Sequence, residues 1–238
     1  MKENKIIQPA SINTKVIIFG MVLLFMLTQI GFHPTYFQYL PEFEKFTWLH
    51  HIHGALMASW IIFLVLQPIL IHKGKLAAHS FVGKLSYVTA PLMIVSMFLI
   101  LRFTYHKHIL DNSVEEEMSN QAPIIMQLVS FTILYTLAIF YRKRTYYHMR
   151  FMIGTALLMI IPTTGRIFFE YFAAEFWYDL YLSAGISLCL LFYDIRNRDD
   201  WRPYAIVTAV ILSIIFVYHA RHSEAWVTFG RFVASSFY

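Results

Sequence analysis

Eleven histidines in a chain of 238 residues prompt a search for imidazoles that could converge on one ligand. His50 and His53 stand three apart, as do His219 and His222, so each pair falls on one helix face and could offer two imidazoles to one centre. His53 and Gln67 are 14 positions apart, which on an α-helix returns to within about 40° over about 21 Å. His148 and Arg166 are 18 apart, five whole turns and about 27 Å. Two polar clusters follow as expectations. One gathers His50, His53, Arg166, Glu170, His219 and His222, and the other Gln67, His79 and His148. Both require the second, fifth and seventh helices to be neighbours.

Two chemistries suit these residue types. An arginine beside histidines favours an anionic ligand over a bare metal, unless Glu170, one turn beyond Arg166, cancels the charge. A b-type haem or a His-ligated metal is the alternative, with His53, His79, His148 and His219 as candidate ligands and a cation for haem propionates. Histidines at headgroup depth also occur with no ligand at all, because one ring nitrogen can meet water there. Arg166 stands out because Pro162, one turn earlier, removes a backbone hydrogen bond and could bend the helix. No Gly-rich phosphate loop, catalytic serine motif or H-E-x-x-H signature is present.

The elements that must hold these residues are membrane helices. Hydrophobic residues make up 58% and charged residues 14% of the chain, against about a quarter charged in soluble domains. Seven apolar runs are long enough to cross hydrocarbon: roughly Val16–Phe32, His53–Ile71, Phe81–Arg102, Pro123–Tyr141, Met149–Phe169, Trp177–Tyr193 and Tyr204–Tyr218. Backbone in lipid must bond within its own segment, which makes these runs helices. The expected fold is therefore all-α, a polytopic membrane bundle of about seven transmembrane helices in a single domain over residues 1–238, with too little loop for an extramembrane catalytic domain. The first run lacks a small-x-small cleavage site and reads as a retained helix.

Basic residues alternate between the two ends of these runs. If the amino terminus is cytoplasmic, 13 of the 19 lysines and arginines lie on the cytoplasmic side, among them Lys15, Lys73, Lys75, Lys84, Arg142, Lys143, Arg144, Arg150, Arg196, Arg198 and Arg202. The rule that positive loops stay inside then puts the carboxyl terminus outside. Short basic clusters between apolar runs explain the net charge of +5 without a nucleic-acid partner. The lone Cys189 excludes cysteine-based metal clusters and an intrachain disulfide. Aromatics crowd the stretches from Phe32 to Trp48 and from Phe168 to Tyr181, as in the belts that anchor membrane proteins at headgroup depth.

Parts of the chain resemble a family of uncharacterised bacterial multi-pass membrane proteins. The residues that carry the likeness are His53-Gly54, Gln67, His79-Ser80-Phe81-Val82-Gly83-Lys84 with Tyr87, and His148-Met149-Arg150-Phe151-Met152 followed by Arg166. They span about half the chain, with Ser80 standing where the pattern has a basic residue. The resemblance implies a bacterial cell (inner) membrane and no assigned activity. A weaker, architectural similarity is to cytochrome b561-like bundles, which hold haem between histidines of adjacent helices. The reading that follows is binding or carriage of a small anionic ligand or lipid, centred on His53, Arg166, Glu170, His219 and Gln67. The alternative is a membrane redox protein holding haem or a metal. Neither an enzymatic activity nor an oligomeric state is legible in the sequence.

Overall fold

The computed structural model describes residues 13–42, 44–174 and 177–238. Its elements are α1 (Thr14–Phe32), a 3-10 turn (Phe37–Tyr39), α2 (Trp48–His72), α3 (Leu76–His108), α4 (Val114–Phe140), α5 (Thr145–Phe172), α6 (Tyr178–Arg196), α7 (Arg202–Ala220) and α8 (Glu224–Phe237). No strand occurs among the described residues. Helices α1 to α7 are each long and apolar enough to cross a membrane. The expected all-α multi-pass bundle is the fold observed.

The helices outrun the apolar runs at their ends. α4 starts at Val114 because Ser113 caps it, its hydroxyl accepting from the Glu116 N–H at 3.2 Å, and Glu115, Glu116 and Glu117 then lie beside the positive pole of the helix dipole. α3 runs for 33 residues, about 50 Å at 1.5 Å per residue, well beyond a hydrocarbon core of about 30 Å. α8 was not anticipated. Ser223 caps it in the same manner, accepting from the Trp226 N–H, and it docks on α4 where the Trp226 indole N–H donates to the Met118 carbonyl at 3.1 Å. Phe229, Phe232 and Phe237 on this helix remain exposed.

α5 is the axis of the bundle, with 61% of its apolar window buried against 17–33% for the other six spans. It packs against α1, α4, α6 and α7, while α2 pairs with α1 and α3. Close approach depends on Gly154, where a Cβ would come within 2.9 Å of Val207 and 3.1 Å of Leu134. Small residues take this role in membrane bundles because association there relies on tight packing. Large apolar side chains such as Phe19, Phe81, Val88, Phe140, Phe192 and Phe216 point outward and are exposed, as a lipid-facing surface requires.

Buried charges at two places are met by side-chain partners on the same or a neighbouring helix. Arg150 and Asp194, 5% and 0% exposed, form a two-pronged bridge of 2.6 and 2.8 Å between α5 and α6. Tyr146 donates to the same carboxylate at 3.2 Å, and its ring lies 3.3 Å from the guanidinium carbon. Arg150 is thus no surface marker of the membrane boundary, as its position among basic residues suggested. Glu117, 1% exposed, accepts from Gln121 at 2.9 Å and lies 3.4 Å from His108.

Candidate functional site

Gln67, His79 and His148 meet at the end of the bundle where α2 finishes and α3 and α5 begin. The Gly83 N–H is a fixed donor, so the Gln67 side-chain oxygen must face it, accepting at 2.9 Å. The Gln67 amide nitrogen then donates to His79 Nδ1 and to the His79 carbonyl. With Nδ1 accepting, neutral His79 carries its proton on Nε2. His148 is the opposite tautomer. Its Nδ1 lies 2.8 Å from the Ala138 carbonyl, which can only accept, so Nδ1 holds the proton and Nε2 keeps a lone pair.

These three residues line one cavity of about 450 Å³, within the range of small-molecule sites. Its inner wall is apolar, with Met21, Trp60, Phe63, Leu64 and Met152, and its mouth carries Lys84 and Arg142. Lys84 and Arg142 are both exposed, and neither forms an ion pair within 4 Å among the described residues. Trp60 itself is fully buried, wedged edge-on against Phe131 and Tyr135 of α4 at 5.2 and 5.5 Å. Its indole N–H has no hydrogen-bond partner. Sequence reasoning found Gln67, His79 and His148, read Arg142 as a topology marker, and read Lys84 as a topology marker and as part of the family-like stretch that begins at His79. It had no signal for Trp60, since an aromatic inside an apolar helix carries no mark of what its N–H meets.

At the opposite end the expected cluster is divided among different partners. His53 faces α3, its Nδ1 3.0 Å from the Ser96 hydroxyl, which in turn donates to the Met93 carbonyl at 2.8 Å. Arg166 is near enough to act electrostatically on His53, yet its guanidinium donates to the Pro162 carbonyl at 2.7 Å and lies over the Phe32 ring at 4.2 Å. Glu170 and Asp179 influence Arg166 through their charges but form no ion pair with it within 4 Å among the described residues. Asp179 is buried against Gly165 and was not singled out in the sequence. His219 is exposed and bonds Tyr181 of α6 at 2.7 Å. His50 turns back to Thr47 at 2.8 Å, closing the cap of α2. His51 Nδ1 and the Tyr36 hydroxyl share a hydrogen bond of 2.6 Å, and burial raises the Tyr36 pKa.

A haem or metal centre can be tested against this geometry. Among the described residues, no three His, Cys, Asp or Glu side chains converge to hold a metal ion. Two axial imidazoles would each need a free Nε2 lone pair. His148 has one, but neutral His79 does not while Gln67 donates to its Nδ1. A bis-histidine centre at His79 and His148 does not fit. His53 and His219 bond to separate helices, α3 and α6.

Comparisons with protein-family models, curated proteins and solved structures return no match for this chain. Neither resemblance noted in the sequence gains support from them.

Proposed function

We propose that this protein binds an anionic amphiphile in the cavity between α1, α2, α3 and α5, as a lipid-binding or carrier-type membrane protein. The observation that carries the reading is the combination of an apolar inner wall with Lys84 and Arg142 at the mouth and the imidazoles of His79 and His148 between them. An anionic head meets the cations at headgroup depth, and its tail replaces lipid contacts along Trp60 and Met152. Gln67 holds His79 by its Nδ1, which leaves the His79 Nε2–H to donate to the anionic head, while the Ala138 carbonyl holds the Nδ1–H of His148 and a protonated head oxygen would be needed to meet its Nε2 lone pair. The anionic ligand is thereby proposed for the His79 end, where Lys84 and Arg142 are exposed beside the cavity, and not for Arg166, which is half-buried between the Pro162 carbonyl and the Phe32 ring. The excess of basic residues at this end supports a cytoplasmic orientation. Residence in a bacterial cell membrane rests on the family resemblance alone.

The test is a lipid-dependent thermal shift of the detergent-purified chain, with phosphatidylglycerol as the anionic probe and phosphatidylcholine as the zwitterionic one. The anionic lipid should raise Tm more than the zwitterionic one. The double variant Lys84→Gln, Arg142→Gln should abolish that difference without lowering the lipid-free Tm, since both side chains are exposed. Equal shifts with the two lipids in the wild-type chain overturn the reading.

A further inference from the structure

The two imidazoles of the cavity present opposite hydrogen-bonding atoms. Gln67 is fixed by the Gly83 N–H and donates to His79 Nδ1, so the Nε2 of neutral His79 carries a hydrogen. His148 gives its Nδ1 hydrogen to the Ala138 carbonyl at 2.8 Å, so its Nε2 is a bare lone pair. Both rings line the cavity and are half-buried. Neither Nε2 has a hydrogen-bond partner among the described residues, and neither is one of the buried polar atoms left unpaired, so solvent reaches both. Lys84 follows Gly83, and Arg142 lies four residues beyond Ala138. Each cation therefore stands within about one helical turn of the backbone group that orients an imidazole.

This pattern restricts the head. The two cations and the His79 Nε2–H are met by charged oxygens, whereas the His148 lone pair is met only by an O–H. The charged oxygens of a carboxylate or a phosphodiester are acceptors alone. Set against His148 Nε2, they would bring two acceptors together and leave the nitrogen unmet beside an apolar wall. A phosphomonoester is different, because its second proton has a pKa of about 6. As a monoanion it carries charge and an O–H on one phosphorus. Whether the proton sits on the phosphate oxygen or on Nε2, the bound pair holds one proton that a phosphodiester does not bring.

We infer that the head of the occupant is a phosphomonoester, bound with one proton between a phosphate oxygen and His148 Nε2 while its charged oxygens accept from the His79 Nε2–H, Lys84 and Arg142. This inference rests on the anionic-amphiphile reading above and adds the chemistry of the head. The apolar wall of Met21, Leu64 and Met152 takes the tail, so the occupant is a phosphomonoester lipid of the phosphatidic acid type and not free phosphate. His148 is then the specificity-determining residue: it reads the O–H, and the cations read the charge.

The experiment compares phosphatidic acid with phosphatidylmethanol of the same acyl chains, in which a methyl ester replaces the O–H, measuring apparent Kd by native mass spectrometry on the full chain in detergent. At pH 6 the wild-type chain should bind phosphatidic acid about five- to tenfold more tightly, the worth of roughly one hydrogen bond. From pH 6 to pH 8 that preference should shrink, because the lipid loses its second proton. Attraction of charge alone makes the preference grow as the second negative charge develops, and a growing preference overturns the inference. This series needs no variant to fold. His148→Phe keeps an aromatic ring and removes the lone pair. It should bind the two lipids alike, with phosphatidylmethanol bound as by the wild-type chain, and a preference that survives in it overturns the inference. Phosphatidylglycerol bound as tightly as phosphatidic acid also overturns it, since a hydroxyl of the head alcohol would then serve. Displacement of phosphatidic acid by an equal concentration of inorganic phosphate overturns the lipid assignment. If phosphatidylmethanol binds no better than phosphatidylcholine, the anionic-head reading fails first. If it binds better but phosphatidic acid only matches it, the phosphomonoester assignment alone fails.

Discussion

Arg150 and Asp194 show how much one buried charge depends on its partner. The guanidinium and carboxylate meet through two bonds of 2.6 and 2.8 Å, almost without solvent, and the Tyr146 ring covers the cation. Removing one member leaves the other ionised in a low-dielectric interior, whereas replacing both with apolar residues removes the desolvation cost together with the attraction. Arg150→Met alone, or Asp194→Leu alone, should destabilise the bundle by about 3–5 kcal/mol. The double variant should recover most of that loss. Thermal unfolding of the three variants in one detergent decides the matter, and additive losses would mean that the bridge is not the coupling. The consequence reaches the site, because Arg150 lies two residues after His148 on α5 and its bridge to α6 fixes the start of that helix. His148 and Arg150 therefore have distinct roles within one short motif: one lines the cavity and the other anchors the helix that presents it.

At the scale of elements, α5 can be central only because its neighbours come close at glycine. At Gly154 any side chain would press on Val207 of α7 and Leu134 of α4, while Gly54 on α2 has nothing within 4 Å of where a Cβ would stand. Gly154→Leu should cost about 1–3 kcal/mol or more through overpacking. Gly54→Ala should be neutral or stabilise by up to about 1 kcal/mol, since alanine restricts the unfolded helix and meets no obstacle. Parallel Tm measurements on both variants check the contrast, and a similar loss at Gly54 would place an unseen neighbour against that face of α2. α8 illustrates another elementary point. Fourteen residues are too few to span hydrocarbon, so a search for apolar runs passes over them, although Ser223 and the acid after it mark a helix start. Its sided pattern makes sense only with α4 beneath it, where Gly230 lets the helix settle onto Met118.

For the whole molecule, an odd number of spans puts Thr14 and Ala220 at opposite ends of the bundle. The basic end, with Lys84, Arg142 and Arg144, is expected to face the cytoplasm. In a Cys189→Ser background, which removes the exposed native thiol, a membrane-impermeant maleimide applied to intact cells should label Leu110→Cys and not Lys143→Cys. Permeabilised cells should label both. The reverse pattern would invert the protein in its membrane, and labelling of both in intact cells would break the seven-span topology. The same orientation would open the His79 cavity toward the cytoplasmic leaflet, whose anionic lipid heads are the probe proposed above for its cations.

The seven spans, their helical state and the alternation of basic ends were legible in the amino-acid sequence, because transfer of about 20 residues into hydrocarbon is a local sum along the chain. The common face of His53 and Gln67 was legible for the same reason, and both do turn toward α3. Which polar residues meet was not legible, since that depends on how each helix is rotated and which helix lies beside it, and both are set by packing between segments distant in sequence. Arg150 found Asp194 across 44 positions, His219 went to Tyr181 and not to His53, and an unremarkable tryptophan was left with an unmet donor beside a cavity. Composition and periodicity determined that the chain lives in a membrane as a helical bundle. Only the tertiary structure, by fixing contacts whose energies depend on geometry over a few ångströms, decided which polar residues meet and which of them line a cavity.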